Sequence, residues 1–226
     1  MKFYFLFLLS GLFFLQCTFL KNTNEDVNCD RIASKIDQLY IDYYGVDLGE
    51  NYNRIDSALC LIDSVLFRCE KYNLKMISNK MIFLSMKNNF SEAIDFIQSL
   101  DEDIMYPLNK SVLLKRFKAM QAQSEGDMKT RNKLITKIVT ELTDSISKHH
   151  IEIDSVFCLP NSLEIMQNKN ILIILQYYYY KSQIVGADKV SNELDSMQER
   201  LNGNKEFFND ILNPILKRDF MSYDGI

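Results

Sequence analysis

The stretch Asn88-Asn89-Phe90-Ser91-Glu92-Ala93-Ile94-Asp95-Phe96-Ile97 decides how the chain is read. It opens with a polar turn, after which Phe90, Ala93 and Ile97 recur at the three- and four-residue spacing that lines one face of a helix. The layout returns twice. Asn53-Arg54-Ile55 leads to Ala58, Ile62 and Val65, and Gly126-Asp127-Met128 leads to Arg131, Ile135 and Ile138. Each step advances by roughly 35 to 38 residues, the period of arrays in which one helical hairpin cannot bury its own apolar face and stacks on the next.

Working outward, nearly the whole chain reads as helix. Only three Pro and seven Gly occur, most of them between the apolar periodic runs. Residues 30–44 place Ile32, Ile36, Leu39, Tyr40 and Tyr43 on a helical face before Gly45 and Gly49. A continuous helix is expected over 53–72, ending at Asn73, and an outer hairpin helix over 74–86. The inner helix is expected to start at Ser91, a good N-cap residue with Glu92 in the first turn. Helices over 108–125 and 128–147 flank a turn at Gly126-Asp127. Residues 149–161 contain Pro160 and alternate Ile151 and Ile153 with acids, which predicts an irregular insertion or a short extended segment. Helix resumes near Leu163, turns at Gly186 and runs to Leu201. A last helix, 205–217, would cover the final hairpin.

The hairpin over 78–103 resembles the tetratricopeptide repeats, in which a turn of Gly or Asn precedes an aromatic residue, then a small Ala, then a larger apolar residue. Asn88-Asn89-Phe90, Ala93 and Ile97 satisfy each requirement. Ala58 with Ile62 holds the equivalent packing position in the preceding copy; in the third copy Ala119 takes the small position of the first helix, whereas Arg131 replaces the close-contact Ala. The Ala marks the closest approach of two helices, where a bulkier side chain would push the axes apart. Arg131 therefore predicts a splayed or offset hairpin. The resemblance implies an all-α fold of antiparallel hairpins stacked as a right-handed solenoid over 30–226, with the irregular insertion and a C-terminal capping helix.

The N-terminus carries a separate message. Residues 3–14 hold no charge and follow a basic Lys2, which is the composition of a secretion signal. Leu15-Gln16-Cys17 resembles the lipobox of bacterial lipoproteins, although Gln16 and Phe14 stand where that family has a small residue and Leu. The resemblance implies a signal peptide over 1–16 and lipid on Cys17, followed by a polar tether over 17–29. An uncleaved helical anchor and ordinary signal cleavage are the alternatives. The expected location is the bacterial cell envelope, facing the periplasm or outer membrane.

With a net charge of −4, the chain lacks the basic stripe that nucleic acid requires. Beyond Cys17 it has Cys29, Cys60, Cys69 and Cys158. On one continuous helix Cys60 and Cys69 would sit roughly 13 Å apart along the axis, too far to bridge. They read as buried small hydrophobes, and a bridge between Cys29 and Cys158 is left open.

Tyr177-Tyr178-Tyr179-Tyr180 must face every side of a helix, which makes the run both core and a candidate binding surface. His149-His150 lacks accompanying ligands and reads as a solvated helix end. Asp101-Glu102-Asp103 lacks the spacing of a calcium loop. No catalytic constellation, metal motif or cofactor-binding loop is found. The expectation is thus a scaffold for a protein or peptide, held to the membrane by its N-terminal lipid. Alternatives are an ectodomain-like sensor piece of a membrane regulator and a glycan-capturing lipoprotein similar to Bacteroidetes-type binders, whose Trp platforms have no counterpart in a chain without Trp.

Overall fold

A computed structural model describes residues 29–44, 52–105 and 109–221. The signal peptide, Cys17, the tether up to residue 28, Gly45, Gly49 and Pro107 lie outside the described residues. Those described are helical, with no strand among them. The chain divides into two compact units, Met1–Lys87 and Asn88–Ile226, so the expected repeat region parts at the quoted Asn88 turn.

In the first unit α1 (Cys29–Tyr44) packs on α2 (Tyr52–Val65), and α2 packs on α3 (Asn73–Met86). Ala33 and Ile36 of α1 meet Ile55, Ala58, Ile62 and Val65 of α2, with Met76 and Phe83 of α3 completing the core. Ala58 and Ile62 are fully buried. The expected continuous helix over 53–72 ends early, at Val65. Phe67 turns the chain with φ +66°, and its N–H is taken up by Asn73 Oδ1 at 3.0 Å. A 3-10 turn, Glu70–Tyr72, then leads into α3.

That reversal corrects the reading of the cysteines. It carries Cys69 back to the start of α1, where Cys69 forms a disulfide with Cys29 at a Cα–Cα separation of 5.8 Å. Cys69 is therefore half of a crosslink instead of an inert core residue. Cys158, exposed in the second unit, stays outside any bridge. Around the crosslink, Asp30 accepts from the Lys71 ammonium at 2.6 Å and from the Tyr72 hydroxyl at 2.7 Å. These bonds, Lys71 first, hold the Asp30 carboxyl below its ordinary pKa.

The second unit begins with α4 (Phe90–Ser99). Asn89, not Ser91, is its cap: the Asn89 side chain accepts from the Glu92 N–H and donates to the Glu92 carboxylate at 2.6 Å. After the short α5 (Glu102–Met105) come α6 (Lys110–Ser124) and α7 (Met128–Lys148), joined at Gly126. Gly126 has φ +80°, and Asp127 caps α7 by accepting from the Thr130 N–H at 2.9 Å. Phe90, Ala93, Ile97 and Ala119 are all buried. The α4 helix lies against α6, α6 against α7, and α7 against α10 (Ile171–Val185), which in turn lies against α11 (Ala187–Leu201).

Between α7 and α10 the expected irregular insertion contains helix: α8 (Ile153–Phe157) and α9 (Ser162–Gln167). Phe157 of α8 anchors an aromatic cluster, with ring centroids 6.1 Å from Tyr178, 5.7 Å from Phe207 and 5.0 Å from Phe208. The cluster pulls the insertion into the core. The last helix is also altered. Phe207–Leu212 is π-helical, with the Asn213 N–H reaching back five residues to the Phe208 carbonyl, and α12 (Asn213–Leu216) follows with Pro214, which has no N–H to give.

With Arg131 near its start, α7 still packs against α6. The buried Arg131 guanidinium extends toward α10, donating to Gln123 Oε1 at 2.7 Å and Gln183 Oε1 at 3.2 Å. A long side chain that leaves the closest approach of the two helices need not separate them.

Candidate functional site

The tyrosine run falls on α10, and three of its four members belong to the interior. Tyr178, Tyr179 and Tyr180 are buried, which withdraws them as a binding surface. The reason is coverage: α7, α9, α11 and α12 all pack against α10, so nearly every side of this helix is occupied. Tyr178 donates to Met197 Sδ at 3.9 Å, and Tyr179 lies under the Arg116 guanidinium, 5.4 Å from its ring centroid. Burial pushes the phenols of Tyr178 and Tyr180 above their ordinary pKa, with Arg116 partly opposing the shift at Tyr180. Tyr177 alone is half-buried, its ring 5.6 Å from the Lys181 ammonium that pairs with Glu193 at 2.7 Å.

One turn earlier on the same helix the surface opens. A groove of about 460 Å³ lies where the N-terminal turns of α6 and α10 meet the C-terminal half of α7. That volume is within the usual range for ligand clefts, about 300–1,000 Å³. Leu142 of α7 with Leu172 and Ile173 of α10 supply apolar wall, and Ser111, Glu141, Ser145 and Gln176 supply polar groups. No aromatic ring lines it among the described residues.

The basic groups at this groove are engaged, whereas Glu102, which also lines it, has no ion pair among the described residues. Lys115 pairs with Glu141, which also accepts from Ser111 Oγ at 3.2 Å. Lys110 donates to the carbonyls of Gln98, at 3.0 Å, and Leu100. The Asn109 side chain is spent on capping α6, accepting from the Val112 N–H at 3.0 Å. Gln176 is different. Its side chain is only 4% exposed, it lines the groove, and its carboxamide makes no hydrogen bond among the described residues. Its amide is not among the fully buried polar atoms left without a partner, so it faces the groove and the solvent there.

The packing residues Ala58, Ile62, Phe90, Ala93, Ile97 and Ala119 are buried, the first two in the first unit and the others in the second, and none of them lines this groove. His149 and His150 are exposed at the end of α7. No group of three His, Cys, Asp or Glu side chains arranged for a metal occurs among the described residues. Gln176 was not singled out by periodicity. Its signal was nonetheless present, since it is the sole residue in Ile171-Leu172-Ile173-Ile174-Leu175-Gln176-Tyr177 that is neither aliphatic nor aromatic.

No protein-family model, no curated protein and no solved structure matches this chain.

Proposed function

We propose that the protein is a lipid-anchored component of the bacterial cell envelope whose helical hairpins stack as a tetratricopeptide-like right-handed solenoid and present a surface to another protein or a peptide. The carrying observation is the chain-order packing of α4, α6, α7, α10 and α11, which is how hairpin arrays bury apolar faces while leaving grooves between their helix ends. Export is supported by the apolar leader before Cys17 and, independently, by the Cys29–Cys69 disulfide, a bond that persists in oxidising compartments.

Mass spectrometry of the mature N-terminus tests the anchor: acylated Cys17 is expected, and an intact leader overturns it. Crosslinking in the native envelope, followed by reciprocal capture from the partner's side, tests the scaffold role. A reproducible protein partner is the expected result. Recovery of uncrosslinked protein alone overturns it.

A further inference from the structure

We propose that the groove at the α6–α7–α10 end of the second unit takes an extended peptide segment and recognises its main chain through Gln176, a site that rests on the scaffold reading and deepens it. Two independent features meet there. One is the first turn of α6, a helix long enough to present an ordered terminus, with Ser111 at the groove wall. The other is Gln176, a largely buried side chain at the groove wall whose carboxamide is solvent-reached and unbonded among the described residues.

The ligand class follows from what the groove offers and lacks. A carboxamide has one strong acceptor and two donors on adjacent atoms. The complementary group is another amide: Gln176 Nε2 donates to a peptide carbonyl while Oε1 accepts from a peptide N–H. Among the described residues phosphate and carboxylate ligands find no uncommitted cation at the groove, because Lys115 is held by Glu141 and Lys110 by two backbone carbonyls, and the Glu102 carboxylate in the lining opposes an anion. Nucleobases and sugars find no aromatic platform among the described lining residues. The groove is open to solvent, which suits a chain passing through, and Leu142, Leu172 and Ile173 form apolar wall for an aliphatic side chain beside the bonded peptide unit. Main-chain recognition leaves sequence selectivity modest, set mainly by that apolar contact.

The probe is a library of random linear peptides displayed on phage and panned against the full chain, with enriched sequences synthesised and titrated by fluorescence anisotropy. Gln176→Met keeps volume and removes the amide, and Ser145→Trp obstructs the groove from its rim. Each variant is taken forward only with an unchanged thermal midpoint. Enriched peptides are expected to bind wild type and to weaken roughly tenfold with Gln176→Met. N-methylation at one peptide position is expected to cause a similar loss in wild type and little further loss in the Met variant. This arm needs no folded variant beyond wild type to show whether the main chain is read. Enriched peptides that bind all three proteins equally and tolerate N-methylation throughout overturn the groove assignment while leaving the scaffold reading standing. Failure to enrich any peptide over bare support overturns both.

Discussion

The Arg131 guanidinium stacks on the ring of Phe220, 4.6 Å from its centroid, and so ties the start of α7 to the C-terminal end of the chain. Burial lowers the arginine's pKa, yet the group remains charged and bonded to Gln123, Asn132 and Gln183. Arg131→Ala restores the small residue of the repeat pattern but orphans these amides. It is expected to destabilise by about 1–3 kcal/mol. Denaturant unfolding measures this, and an unchanged midpoint would show that the network contributes nothing.

Ala93 is fully buried on the helix that lies against α6. Ala93→Leu adds three carbons where the core has no room and is expected to cost about 1–3 kcal/mol by overpacking. Ala93→Gly separates packing from propensity, because it leaves the space empty and weakens the helix by about 1 kcal/mol. Both are read from thermal midpoints, and a neutral Leu variant would contradict close packing there.

The Cys29–Cys69 disulfide joins the first helix to the turn that follows the second. Reduction, or Cys69→Ser, is expected to lower the stability of the first unit by about 2–4 kcal/mol. Cys158→Ser should leave it unchanged. Calorimetry with and without reductant distinguishes the two, and equal effects of the two substitutions would exclude the crosslink.

Phe67 holds φ +66° while half of its side chain is exposed. The other non-glycine residues in this region are Asn88, His150 and Asn202, types that tolerate it better. Phe67→Gly relieves the backbone at little packing cost and is expected to stabilise by up to about 1 kcal/mol, after the entropy glycine adds to the unfolded chain. A fall in midpoint would instead mean that the ring contributes buried contact.

Acid sensitivity is expected to arise in both units. Asp30 is held low by Lys71 and then Tyr72, and Asp127 by the Thr130 side chain and N–H. A carboxyl whose folded pKa is depressed contributes stability above its unfolded value, about 3.9, and loses that contribution as pH falls toward the folded value. Stability should therefore be flat from about pH 7 to 5 and decline below about 4. Asp30→Asn should lower the plateau slightly and flatten the decline. An unaltered pH profile in that variant would remove Asp30 from the explanation.

Much of the helical layout could be read locally. The turns at Asn88-Asn89, Gly126-Asp127 and Gly186 were visible because polar and glycine residues interrupt apolar runs, and the structure places them between helices. Boundaries were less legible. Asn89 outcompetes Ser91 as the cap of α4 because its side chain reaches the Glu92 N–H while Glu92 reaches back. The α2 helix stops at Val65 with neither glycine nor proline to mark it, because the turn after Val65 brings Cys69 to Cys29. Likewise Phe157, in a segment whose alternation suggested strand, is drawn into helix by aromatic partners far along the chain.

The amino-acid order by itself determined that this protein is helical, where most hairpins turn and which faces are apolar, since those depend on spacing and backbone preference within a few residues. Only the tertiary structure decided that Cys69 pairs with Cys29, that Tyr178 to Tyr180 lie inside, and that Gln176 meets a groove with its amide unbonded among the described residues. Those outcomes turn on which helices come to cover one another, and four neighbours packed around α10 bury side chains that periodicity alone had to distribute between core and surface.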